Sequence, residues 1–329
     1  MGGGAYNSAH GYASVVAGGS TNFAAKSHCT VAGGSGNTAL STFGSVVGGS
    51  ANTIFADSSY GFVGGGIGTN AYGNYVVVGG GYYNMANGSA ASVTAGSENS
   101  ASGPYAHVGG GSKNEAAGYG AIVAGGSRNE ALAVSAMVGG GSLNSATASY
   151  ATIAGGYSVT ANATGATISG GMYNLATGDA VKATIGGGGS NKVSMTYATI
   201  GGGNANAVAA FAGVVGGGHR NTVQGFYSVI GGGAFNSAIG NSATVGGGRL
   251  VSANGYAATV GGGQENVAAA AYATTSGGRL NVADSHGAVI AGGYSNSAGD
   301  SYVHCPVCGI ANCTIIAHRV DADCVLLRM

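Results

Sequence analysis

The sequence predicts an all-β chain wound as a parallel β-solenoid (a β-roll) of about 20 fifteen-residue coils, with a thin Ala/Val/Ile core, glycine corners and an asparagine ladder. Three observations predict it. A motif of fixed period runs along almost the whole chain. Small or branched apolar residues alternate with mixed ones inside each copy. Glycine and asparagine hold the same positions from copy to copy.

The period is carried by Tyr197-Ala-Thr-Ile-Gly-Gly-Gly-Asn-Ala-Asn206, which ends one unit and begins the next. Variants recur at Tyr150-Ala-Thr-Ile-Ala-Gly-Gly156 and Ala243-Thr-Val-Gly-Gly-Gly248. Counted from the first position of its glycine run, the first unit covers residues 2–16, and 20 units follow one another to residue 305. The units beginning at Val47 and Ser169 have 17 residues. Each carries a two-residue insertion, expected to bulge from one turn because the period resumes on either side.

Position 15 is Val or Ile in 18 of 20 units, Thr275 and Cys305 being the exceptions. Position 13 is nearly always small and position 14 mixed, so residues 13–15 alternate as a strand does. Position 8 is Ala in 16 units and Val or Ile in the other four, a second inward site with little room. Position 3 is Gly in every unit and position 2 in all but one, where Ala95 stands. Such glycines imply a positive φ or a backbone too close to something for a Cβ.

Position 6 is Asn in 17 units: Asn7, Asn22, Asn37, Asn52, Asn84, Asn99, Asn114, Asn129, Asn144, Asn174, Asn191, Asn206, Asn221, Asn236, Asn266, Asn281 and Asn296. Thr69, Val159 and Val251 replace it in the others. Asn tolerates left-handed backbone, bonds local backbone groups, and can bond from rung to rung when stacked. An inward Asn ladder beside the glycine corner is expected, with a separate Asx turn in each unit as the alternative. Both are structural roles. A unit this short cannot bury its own apolar face, so stacking must supply the core.

Composition excludes several classes. The chain has 70 glycines in 329 residues without a Gly-X-Y triplet, so it is not collagen. Only 6 % of residues are charged against 45 % hydrophobic, the reverse of a disordered chain. Ten Lys plus Arg balance ten Asp plus Glu, and no basic run marks a nucleic-acid partner. No apolar run reaches the length of a membrane-spanning helix. Residues 1–7 lack the basic and apolar regions of a signal peptide.

Position 14 is apolar or Thr far more often than charged. Its members Val77, Thr152, Thr167, Thr184, Thr199, Val214, Val229, Thr244, Thr259 and Thr274 form a candidate interface column. A face packed on another chain explains it. An ice-binding plane of stacked Thr, or an exposed column that merely favours β-structure, are the alternatives; Phe62, His107 and Met137 interrupt it. Tyr recurs at position 12, as in Tyr60, Tyr75, Tyr105 and Tyr227.

Chemistry is sparse. Glu115 and Glu130 share a position in adjacent units, which brings two carboxylates toward glycosidase separation. Lys113 and Arg128 stack two residues earlier, with Glu98 before them, so a neutralised charge patch accounts for all five. No nucleophile motif, phosphate loop or dinucleotide fingerprint stands, and no catalytic residue or organic cofactor is expected. Cys29 falls at an inward position. Cys305, Cys308, Cys313 and Cys324 crowd the end, and Cys305-Pro-Val-Cys308-Gly309 resembles half of a zinc-ribbon site. Structural zinc, disulfides and buried free thiols are the three readings. The repeat domain is placed at 2–305, and a cap or junction segment at 306–329.

Through its Tyr-Ala-Thr-Ile-Gly-Gly-Gly-x-x-Asn-x-Ala units the chain resembles the Gly/Asn-rich repeat fibres of tailed phages, and more distantly the head repeats of trimeric autotransporter adhesins. Gly309-Ile-Ala-Asn-Cys313 followed by Val320-Asp-Ala-Asp323 is similar to the way some phage fibre repeats end. The resemblance implies homotrimers and attachment to a host surface, through glycan or protein. It departs from the adhesin heads, whose period is shorter around a Ser-Val-Ala-Ile-Gly core. The expectation is a non-catalytic phage tail fibre or virion surface fibre, with an extracellular end-to-end filament as the alternative. An ice-binding protein and a glycan-cleaving spike follow behind.

Overall fold

The computed structural model describes residues 2–56 and 59–301, and the backbone alone of residues 304–305 and 314–315. No helix occurs among the described residues. The chain forms two compact units, residues 1–165 and 166–329. Each is a parallel β-solenoid.

Every coil contributes two short strands. One holds positions 7 and 8, as in Ser100–Ala101 and Thr222–Val223. The other holds positions 14 and 15, as in Ser92–Val93 and Thr199–Ile200. Within each unit, strands pair in parallel with the equivalent strand of the next coil. In the first unit Met85↔Ser100 and Val77↔Ser92 are in register, and in the second Thr222↔Ser237 and Thr244↔Thr259. Position 4 adds a third column of single-residue parallel bridges, for example Ser97↔Ser112↔Ser127.

Two strand residues per side are enough because the alternation is complete. Beyond the first coil, the described side chains at positions 8 and 15 point inward and are buried, as Ala101, Val108, Ile200 and Val245 show. Each buried Val or Ile is worth roughly 1.5–3 kcal/mol. Thr275 at position 15 keeps its hydroxyl satisfied by donating to the Val267 carbonyl oxygen at 3.3 Å.

Core volume is conserved between coils. In two of the four coils where position 8 grows, position 13 shrinks to glycine. Ile54 lies beside Gly44 and Gly61, and Val208 and Val223 flank Gly213. A Cβ on Gly213 would stand 2.8 Å from a γ-methyl of each valine. Both seventeen-residue coils keep their strands in register, with Thr53↔Asn70 and Leu175↔Lys192 paired. Their insertions therefore fall between the strands, in the turn around positions 9–12.

The corners are built from left-handed residues. Among non-glycine residues, position 5 has φ from 49° at Tyr83 to 60° at Leu280, and position 12 from 51° at Ala212 to 61° at Tyr150. Neither column was foreseen. The signal for them is the occasional glycine at the same places, Gly36 and Gly68 at position 5, Gly120 and Gly165 at position 12. A left-handed residue costs roughly 1–2 kcal/mol. It also flips the peptide. Strand N–H groups donate forward to the next coil, as Thr199 does to Gly213 at 2.9 Å. At positions 5 and 12 the N–H donates backward, Arg220 to Asn204 at 2.9 Å and Tyr227 to Phe211 at 3.0 Å. Each coil is thereby bonded in both directions.

Candidate functional site

Position 3 explains its glycine twice over. Gly203 has a φ of +88°, and a Cβ there would lie 2.1 Å from the Gly218 carbonyl oxygen. Position 2 is different. A Cβ on Gly202 or Gly217 would meet nothing within 4 Å, and Ala95 occupies this column. The expectation of a positive φ or a crowded backbone holds on both counts at position 3; at position 2 these coils show no crowding, while Gly65, Gly80, Gly110, Gly170, Gly187 and Gly292 of the same column have φ between 147° and 159°.

The asparagines beside this corner are buried in both units, except Asn7 of the first coil, which is half-buried. Asn129 shows the pattern. Its Nδ2 donates to the carbonyl oxygens of Gly125 at 2.8 Å and Gly141 at 2.9 Å, one in its own coil and one in the next. Its Oδ1 accepts the backbone N–H of Asn144 at 3.0 Å. The coil-to-coil link therefore runs from side chain to backbone; one amide-to-amide contact, Asn281 Nδ2 to Asn266 Oδ1, measures 3.2 Å. Thr69 stays in the chain of bonds, its hydroxyl donating to Asn52 Oδ1 at 2.7 Å. Val159 and Val251 donate their backbone N–H groups to Asn144 Oδ1 and Asn236 Oδ1 but offer the next coil neither a side-chain acceptor nor a side-chain donor.

The position 14 residues face outward in each unit. Val77 and Val229 are 42 % and 37 % exposed, and Thr167, Thr184 and Thr244 are exposed. Thr152, Thr199, Val214, Thr259 and Thr274 are half-buried. In the second unit the column reads Thr167, Thr184, Thr199, Val214, Val229, Thr244, Thr259, Thr274, Val289, with Phe62, His107 and Met137 all in the first unit.

Position 12 forms an exposed aromatic edge in the first unit. The rings of His28, Phe43, Tyr60 and Tyr75 stack at 4.9, 4.9 and 5.0 Å. The coil rise of ~4.8 Å sets their spacing, and the shared left-handed backbone makes every ring leave the same corner. Stacked this closely, the rings turn their edges to solvent.

Charged groups are few. Glu115 and Glu130 are register partners, and Glu130 Oε2 accepts from the Ser145 hydroxyl at 2.9 Å. Lys113 Nζ lies 3.5 Å from Glu98 Oε2, both half-exposed. Exposed pairs of this kind contribute little to stability. In the second unit the bridge column at position 4 brings His219, Arg249 and Arg279 to one corner. In the sequence they are separated by many residues and form no run; the signal for them is their spacing at two coil lengths.

Cys29 is buried and its thiol donates to the Lys26 carbonyl oxygen at 2.8 Å. Burial pushes this thiol above its ordinary pKa, opposed by the backbone hydrogen bonds. No group of three or more His, Cys, Asp or Glu that could hold a metal exists among the described residues. The zinc expectation rests elsewhere. The strand His304–Cys305 pairs with Val289–Ile290 through its backbone, while the side chain of Cys305 and all of Cys308, Cys313 and Cys324 lie outside the described residues. No helix of the described residues is long and apolar enough to cross a membrane. No protein-family model matches this chain, and no curated protein matches it.

Proposed function

We propose that this chain is a non-catalytic structural and adhesive fibre protein, of the kind found in phage tails or on virion surfaces, which assembles with itself and contacts a host surface. The observation that carries the reading is the outward column of the second unit. Nine residues from Thr167 to Val289 are all Thr or Val, exposed or half-buried, with no charge among them. A water-facing column ordinarily recruits Lys, Glu or Asp. A contiguous uncharged strip of this length suits burial against a second copy. The backbone of each solenoid, bonded in both directions, gives the stiffness that a fibre needs.

The test is absolute mass by light scattering, in dilute buffer with reductant. Three times the 31.1 kDa chain mass is the expected result. Val214→Glu with Val229→Glu should then lower the mass to that of one chain while the β-sheet signal persists. Mass that grows with concentration would replace the trimer by an end-to-end filament. A stable monomer would overturn both and turn attention to the Thr residues as an ice-facing plane, tested by thermal hysteresis.

A further inference from the structure

We propose that the position 4 corner of the second unit binds a linear acidic polysaccharide, through Arg249 and Arg279 with Arg220 beside them. This goes beyond the fibre reading and does not depend on it.

The bridge column fixes the geometry. His219, Ala234, Arg249, Gln264, Arg279 and Tyr294 are successive members of one parallel ladder. Basic side chains therefore recur at every second coil. Coils lie ~4.8 Å apart, so these groups repeat at roughly 10 Å. Ala234 and Gln264 between them are shorter or neutral. Arg220 adds a further guanidinium next to His219. All three arginines are exposed.

Their charge is not consumed locally. Arg220 lies over the Phe235 ring at 5.6 Å and Arg279 over the Tyr294 ring at 5.7 Å. A ring face orients a guanidinium while leaving its N–H edges for an anion. Glu265 stands on the same corner, yet its Oε1 accepts from Gln264 Nε2 at 2.7 Å, and no ion pair joins it to an arginine among the described residues. Lys113 of the first unit contrasts with this, being paired with Glu98. Three cations on one corner, in a chain with ten Lys and Arg in all, concentrate positive potential where the net charge is zero.

The charge spacing selects the ligand. A polysaccharide of alternating acidic and neutral sugars carries its carboxylates at every second residue, so successive anions can meet Arg249 and Arg279 while neutral sugars lie over Gln264. Guanidinium binds carboxylate in bidentate fashion. DNA presents a phosphate every ~3.4 Å per strand and derives its affinity from many neutralised phosphates, which three arginines do not supply.

The experiment uses the full chain and fluorescent hyaluronan oligosaccharides, whose sugars alternate glucuronate with a neutral amino sugar. Dextran and a DNA duplex of matched charge serve as competitors. The expected result is binding at low salt that weakens as salt is added, is ignored by dextran, and falls about tenfold in Arg249→Gln with Arg279→Gln, the loss two exposed charge contacts should give. Arg128→Gln, in the first unit, should leave it unchanged. A parallel measurement needs no substitution: hyaluronan should protect Arg249 and Arg279 from phenylglyoxal, read by mass spectrometry. Absence of binding at low salt, tighter binding of the DNA duplex, an equal loss in Arg128→Gln, or modification untouched by the polymer would each overturn the proposal.

Discussion

The side-chain carbonyl of Asn206 accepts the backbone N–H of Asn221 at 2.9 Å, while its amide donates to Gly202 and Gly218 at 3.0 Å each. One buried side chain thus satisfies three backbone groups in two coils. Such groups cost about 1–3 kcal/mol each when left unmade in the interior. Asn206→Ala should therefore lower the denaturant midpoint clearly, and Asn206→Asp should lower it further. The carboxylate keeps an acceptor, loses both donors and brings a charge inside. Exposed Asn254 is the control, and Asn254→Ala should stay within about 0.5 kcal/mol of the parent. Equal midpoints for the Ala and Asp variants would contradict the buried-charge penalty, and a parent-like midpoint for Asn206→Ala would contradict the bonding role.

Adjacent glycines should respond in opposite ways. Gly203→Ala forces a Cβ toward the Gly218 oxygen at a φ of +88°, and about 3 kcal/mol or more should be lost. Gly202→Ala meets open space and, with Ala95 as a native precedent, should cost less than about 0.5 kcal/mol. Urea denaturation of the two variants side by side decides it. A large loss in Gly202→Ala within a monomeric sample would refute this account of the column.

Gly213 is confined by packing alone. Gly213→Ala should cost about 1–3 kcal/mol through overpacking against Val208 and Val223. Adding Val208→Ala should recover part of that loss, although Val208→Ala by itself removes buried methyl groups and destabilises. The coupling is read from a double-mutant cycle, and strictly additive effects would show that the volumes are not exchanged.

Cys29 links stability to alkaline pH. Its folded-state pKa is raised by burial, so the folded thiol stays protonated where the unfolded thiol ionises. Its contribution is complete below the unfolded pKa of about 8.5 and is lost as pH rises from there through the folded value. Cys29→Ala should therefore show a shallower decline than the parent in thermal melts across that range. Parallel curves for the two proteins would exclude the thiol as the titrating group.

Fifteen-residue spacing made the solenoid, the strand at positions 14 and 15 and the inward place of position 8 legible before any coordinates. The reason is physical: a coil cannot bury its own apolar face, so every copy must repeat the same inward residues. The same logic pointed to Gly203 and its equivalents as corners. Left-handed columns at positions 5 and 12 were not legible, because Tyr, Arg, Leu and Glu occupy them and carry no general preference for that backbone. What imposes it is the reversal of peptide direction between strands, visible only once neighbouring coils are in place.

The sequence by itself determined the period, the inward alternation and the alignment of like residues in columns. These follow from local pattern, since each residue's partner is its own counterpart one coil away. Tertiary structure alone decided which groups meet across coils. It set the compensation of Gly213 by Val208 and Val223, the three-way bonding of asparagines such as Asn206, and the seating of Arg220 and Arg279 over the Phe235 and Tyr294 rings. Those relationships depend on distances between residues far apart in the chain, and a linear pattern records spacing without recording depth, direction or charge already spent on a neighbour.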